Sequence, residues 1–198
     1  MSEPASTRTL EAVVIGASAG AVDALLNILP ALPNGYPLAL LIVVHLPPDS
    51  KSTLPDLLTS RSQIKVKEAE DKEPILPGTG YLAPPNYHLL VEPDFTLSLS
   101  SEDPVLFSRP SIDVLFESAA DAFGDALAGV ILTGGNSDGA RGLRAVDAAG
   151  GVALVQSPET AACPEMPRAA LDACPAARVL NLGDLTTVLK EELPSLAR

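Results

Sequence analysis

The stretch Val13-Val14-Ile15-Gly16-Ala17-Ser18-Ala19-Gly20 constrains this chain more than any other. A β-branched apolar run halts at a glycine. A serine follows two residues later between small neighbours, and an amphipathic pattern begins at once. That order predicts a strand, a tight turn and a helix. Small residues let the backbone turn sharply and leave the Ser18 hydroxyl clear. The amides behind the turn open a helix, where the dipole favours negative charge.

The pattern then repeats along the chain. Residues 10–15 read as the first strand. Val22, Leu25, Leu26 and Leu29 fall on one face of the helix that follows, and Pro30 and Pro33 close it. Residues 37–44 are almost wholly apolar, as in a strand buried on both faces. His45 ends that strand and Pro47-Pro48 breaks the chain. The polar stretch from Asp49 predicts a short helix through Leu58, and residues 64–66 a third strand. Between Glu68 and Ser101, prolines and glycines punctuate short alternating runs at 81–83, 88–91 and 95–99, which predicts an inserted antiparallel hairpin or meander.

Ser111 opens a helix with an apolar face of Ile112, Leu115, Phe116, Ala119, Ala120 and Phe123. Residues 126–132 form a buried strand, and 133–139 a turn-rich loop. A helix runs from there to Ala149, with Gly150 as its C-cap. Strand 152–155, helix 164–173, strand 178–180 and helix 185–193 complete the chain. The alternation predicts an α/β fold. Its sheet is doubly wound and mostly parallel, with helices on both faces and the hairpin inserted. With 198 residues and 46% hydrophobic content, one core is expected over residues 10–198, behind a loose tail at residues 1–9.

Composition narrows the partners. A net charge of −12 argues against nucleic acid and anionic membrane surfaces. No apolar window reaches membrane-spanning length, so no membrane insertion is expected, and the polar start has no signal-peptide core. Two cysteines, Cys163 and Cys174, make no disulfide framework, and the expected compartment is the reducing cytoplasm. His45, His88 and the two cysteines lack metal-ligand spacing; neither a metal site nor an organic cofactor is expected.

In such sheets, sites form outside the carboxyl ends of the strands. Ser18 follows the first strand, His45 ends the second, and Asp138 lies in the loop after strand 126–132. If those strands are neighbours, the three residues can meet. A hydroxyl, an imidazole and a carboxylate are the parts needed to activate a serine. Taken singly, each has a plainer reading. Ser18 and Asp138 suit helix caps, His45 a strand-end histidine bound to a carbonyl, His88 a structural or rim position, and Arg109 a solvated helix-entry charge.

Two other motifs compete for the first turn. A dinucleotide fingerprint needs a glycine where Ser18 stands and an acidic residue where His45 stands. Gly16-Ala17-Ser18-Ala19-Gly20 matches the G-x-S-x-G elbow of α/β-hydrolases. Those order their triad Ser, Asp/Glu, His, whereas His45 and His88 both precede the later strands.

Longer motifs run through the chain in order: Ile15-Gly16-Ala17-Ser18, His45-Leu46-Pro47-Pro48, Val66-Lys67-Glu68-Ala69-Glu70-Asp71, Leu76-Pro77-Gly78 and Tyr81-Leu82-Ala83-Pro84. His88, Arg109-Pro110-Ser111-Ile112-Asp113-Val114-Leu115-Phe116, Gly129-Val130-Ile131-Leu132-Thr133-Gly134, Asp138-Gly139 and Met166-Pro167-Arg168 follow. In these the chain resembles the catalytic domain of CheB, the chemotaxis receptor methylesterase. The resemblance implies a Ser18–His45–Asp138 triad. It also implies hydrolysis of glutamyl γ-methyl esters on methyl-accepting chemoreceptor helices, with deamidation of receptor glutamines by the same acyl chemistry.

Backbone amides at Ala19 and near Gly135 are the oxyanion candidates. Arg109, Arg141, Arg144 and His88 are substrate-binding candidates. The chain departs from the family in two turns: Ala19-Gly20-Ala21 replaces Thr-Gly-Gly, and Gly135-Asn136 replaces Met-Gly. No receiver-like segment precedes Leu10. The expectation is a free-standing esterase, a piece of a longer protein, or a domain controlled by a separate receiver domain or signalling partner. The alternative function is a binding or signalling module that keeps the fold with an altered substrate or without turnover.

Overall fold

The computed structural model describes residues 9–45 and 53–197. Most of the expected tail, the Leu46-Pro47-Pro48 motif and the first residues of the helix expected from Asp49 lie outside the described residues.

Seven strands form one sheet in the order β3-β4-β2-β1-β7-β8-β9, with every neighbouring pair parallel. The strands are β1 (Ala12–Ala17), β2 (Ala39–Val44), β3 (Lys65–Glu68), β4 (Thr79–Leu82), β7 (Leu127–Ile131), β8 (Val152–Gln156) and β9 (Arg178–Leu180). The three central strands, β2, β1 and β7, are buried at every residue. Their apolar runs show no alternation because both faces are covered.

One face carries α1 (Ala21–Ile28), α2 (Leu54–Arg61) and a C-terminal helical run. That run begins as α6 (Leu182–Thr187), passes through a π turn (Val188–Glu192) and ends in α7 (Leu193–Ser195). The other face carries α3 (Ile112–Phe123), α4 (Ala140–Ala148), α5 (Glu165–Ala173) and a separate antiparallel pair, β5 (His88–Val91) with β6 (Leu97–Ser100). This is the expected doubly wound sheet with an inserted hairpin. Among the described residues no helix is long and apolar enough to cross a membrane.

Two expectations need correction. The run at 81–83 does not belong to the hairpin. Thr79–Leu82 joins the main sheet as β4, parallel to both β2 and β3, and only the two later runs pair antiparallel. Its signal was ambiguous because β4 is four residues long and flanked by Pro and Gly. The buried face of α1 is also rotated: Ala21, Ala24, Leu25 and Ile28 face the core, while Val22 is exposed. Small alanines let the helix approach the sheet closely, so bulk alone misjudged the face.

Candidate active site

The sheet delivers three chain segments to one edge. Beyond the last paired residues the ladder runs one step further: Ser18 N–H donates to Thr133 O at 2.9 Å, and His45 N–H donates to Ala17 O at 3.2 Å. Since β2, β1 and β7 are neighbours, Ser18, His45 and the loop after β7 leave the sheet side by side. That was the condition on which their meeting depended.

Ser18 is half-buried at the turn into α1. Its carbonyl accepts from Ala21 N–H at 2.9 Å. The N-cap of α1 is Gly20, with φ of 85°, and no side chain caps that end. The Ser18 hydroxyl is therefore not spent as the helix cap. Gly20 is required for more than its backbone angle. A Cβ there would lie 2.9 Å from Ala162 Cβ and 3.0 Å from Thr133 Cγ2. Thr133 ties this turn to the neighbouring loops by donating from Oγ1 to Ala19 O at 2.8 Å and accepting from Cys163 N–H at 2.9 Å. The Gly134 amide is committed to Cys163 O at 3.0 Å. Ala19 and Gly135 are both exposed at this edge.

Asp138 is fully buried. Its Oδ2 accepts from His45 Nε2 at 2.8 Å and from Ile112 N–H at 2.7 Å. Its Oδ1 accepts from Ser111 Oγ at 2.8 Å and from Asp113 N–H at 3.0 Å. Asp138 precedes α4, but the helix it caps is α3, whose N-terminal donors converge on it from across the loop. Burial raises its pKa, but the bonds from His45, the Asp113 and Ile112 amides and Ser111 outweigh that and hold it below the usual carboxylate value.

The exchange is mutual. Asp113, in the first turn of α3, is buried and accepts at Oδ1 from Gly139 N–H at 3.0 Å and Gly142 N–H at 2.7 Å, the N-terminal donors of α4. Each helix thus supplies the carboxylate that satisfies the other's open end. Asp113 has a raised pKa, chiefly from burial, with the Asp138 charge adding to it. Nothing in the reading of the sequence singled Asp113 out. The signal was there, since an acidic residue directly follows Ile112 at the start of an otherwise apolar helix face.

With Asp138 on Nε2, the proton of neutral His45 belongs on that nitrogen and the lone pair on Nδ1. The Asn136 side-chain amide lies 3.5 Å from Nδ1, and its Oδ1 accepts from Asp138 N–H at 3.1 Å. Asn136 is one of the two loop residues that depart from the family pattern. His45 borders a cleft of about 200 Å³ that is also lined by Asn86, Pro104, Phe107, Ser108, Arg109 and Pro110.

The other candidates are placed differently. Arg109 lines the cleft, with its guanidinium donating to Asn86 Oδ1 and to the carbonyls of Ser101 and Glu102. His88 is 2% exposed and held at both ring nitrogens. Nδ1 accepts from Ser111 N–H and Nε2 donates to Asp103 O, each at 3.1 Å. It braces the residue that donates to Asp138. Arg141 is paired with Glu117 of α3, and Arg144 is exposed on α4.

The family model described as CheB methylesterase matches residues 13–189. A protein from Leptospira interrogans serovar copenhageni is 51% identical over 172 residues, 87% of this chain and 89% of that protein. A protein-glutamate methylesterase/protein-glutamine glutaminase from Paraburkholderia xenovorans is 38% identical over 191 residues, 95% of this chain but 52% of its own length. The crystal structure of the Thermotoga maritima CheB methylesterase catalytic domain superposes with a TM-score of 0.87 at 32% identity, covering 93% of this chain and 99% of that one. On sequence and fold together, the chain belongs to the CheB methylesterase family.

Proposed function

We propose that this protein hydrolyses glutamyl γ-methyl esters on chemoreceptor helices with Ser18 as nucleophile, His45 as base and Asp138 as the orienting carboxylate. The observation that carries the proposal is the 2.8 Å contact between His45 Nε2 and buried Asp138, at the sheet edge where Ser18 leaves β1. The carboxylate holds one tautomer and steadies the imidazolium that forms.

His45 Nδ1 takes the proton as Ser18 Oγ attacks the ester carbonyl. The Ala19 and Gly135 amides donate to the resulting oxyanion, a role worth about 2.7–4 kcal/mol where one such donor has been removed. The tetrahedral species collapses, and methanol leaves with the proton from His45. Water, deprotonated by the same imidazole, then releases the glutamate and frees Ser18. With glutamine the leaving group is ammonia. The Asn136 amide competes for the Nδ1 lone pair and has to give way when Ser18 donates to it. The proposal places the enzyme in the cytoplasm, in keeping with its two free cysteines, under the control of a separate receiver domain or signalling partner.

Methanol release from methyl-labelled chemoreceptor membranes tests the reading. Wild type is expected to release it. Ser18→Ala should lose turnover by at least about 10⁴-fold, the scale of damage to such triads, while its thermal midpoint stays unchanged. Equal release by both proteins would remove Ser18 from the mechanism. Release by neither would favour a binding module that keeps the fold.

A further inference from the structure

The cleft that His45 borders is also lined by Phe107 and Ser108, which belong to a turn that breaks two rules of folding at once. Val105 and Ser108 exchange both backbone hydrogen bonds, Val105 N–H to Ser108 O at 3.1 Å and Ser108 N–H to Val105 O at 2.9 Å. The two residues between them have positive φ, 47° at Leu106 and 63° at Phe107. A two-residue turn of this kind calls for Asn-Gly, because only small or locally bonded side chains adopt the left-handed region readily. Here it holds leucine and phenylalanine. Both side chains also face solvent, Leu106 at 48% exposure and Phe107 at 103%. Neither strain nor exposure is repaid inside the molecule, and such conflicts gather at functional sites.

The turn is well held. Arg109, at its base, donates to Asn86 Oδ1 and to the carbonyls of Ser101 and Glu102. Phe107 and His45 line the same cleft, so a ligand seated in it touches both. Net charge does not favour capture. The chain carries a net −12, and a substrate helix rich in glutamate is repelled.

We infer that Leu106 and Phe107 are the apolar anchor on which the receptor helix is seated while its methyl ester enters the cleft. This rests on the receptor-esterase reading and adds the element that selects the substrate. The helix would lay its apolar stripe on the Leu106–Phe107 tip and present the ester from an adjoining turn, one helical pitch being about 5.4 Å. Aromatic residues, phenylalanine among them, are enriched at protein interfaces.

The test is the double substitution Leu106→Asn with Phe107→Gly, which supplies the residues the turn prefers. Its thermal midpoint is expected to match or exceed that of wild type. Its KM for methyl-labelled receptor membranes is expected to rise at least fivefold, with kcat within threefold. Phe107→Asn alone, which the left-handed backbone also accepts, should move KM the same way, and Phe107→Trp should keep it near wild type. A smaller rise in KM for both weakening variants overturns the anchor. Should wild type release no methanol, the esterase reading fails, and co-sedimentation with receptor membranes decides the anchor separately. Retention of wild type but not of the double variant supports it; retention of both alike, or of neither, overturns it.

Discussion

Asp113 and Asp138 lie at the facing ends of two helices and titrate in opposite directions. Asp138 is held below the usual carboxylate pKa. Its stabilising contribution is therefore present above the unfolded-state value of about 3.9 and is lost as pH falls through the lower folded value. Asp113 is raised, chiefly by burial. The stability tied to its protonation is complete below about pH 3.9 and is lost as pH rises through the higher folded value. At neutral pH, then, Asp113 is a charge the fold tolerates at a cost. Asp113→Asn keeps an oxygen for the Gly139 and Gly142 amides and removes that cost. Thermal unfolding should show a higher midpoint at pH 7, with the gain fading as the pH is lowered through the raised Asp113 titration. Asp113→Ala should instead lose about 1–3 kcal/mol, because both donors are left buried and unpaired. A loss with Asn equal to the loss with Ala would mean that the charge itself is needed.

At the scale of elements, the site depends on how closely α3 approaches β1. Gly16, the next-to-last residue of β1, packs against Ile112, the first residue of α3, and a Cβ at Gly16 would overlap the Ile112 side chain. Ile112 also donates its amide to Asp138. Gly16→Ala should therefore cost about 1–3 kcal/mol of stability, as overpacking does, and reduce ester turnover with it by displacing the first turn of α3. Differential scanning calorimetry beside methanol release checks this; an unchanged midpoint with full turnover would refute it. This contact also marks where the sequence stopped being legible. The buried strands could be read because residues 12–17, 39–44 and 127–131 cannot be exposed without losing their apolar burial. That Ser18, His45 and the loop bearing Asp138 leave the sheet at one edge followed from the rule for parallel sheets, whereas the adjacency of their strands did not. Nor did the identity of the helix that Asp138 caps, since its partners lie 25–27 residues away and no local period encodes them. The Leu106–Phe107 tip went unread for a related reason: apolar residues in a loop look like minor noise until their φ angles and exposure are known.

Across the whole molecule, the net charge of −12 sets how the enzyme meets its substrate. Like-charged partners associate faster when salt shortens the Debye length, which is about 10 Å at 0.1 M. For an acidic receptor helix, kcat/KM should rise a few-fold between 20 and 200 mM salt, roughly the range over which that length contracts most. Steady-state methanol release across that range gives the slope. A fall with salt would reveal a basic docking stripe, whereas Arg109 and Arg141 are already engaged within the fold.

The crossed capping of α3 and α4 has a kinetic consequence. Helix ends are ordinarily the first places to fray, each on its own schedule. Here the amides of Ile112 and Asp113 are held from the loop before α4, and those of Gly139 and Gly142 from inside α3. Displacing either start pulls on the cap of the other, which couples the opening of the two. Asp138 is carried by a loop, yet the lifetime of its grip on His45 is set by the breathing of two packed helices.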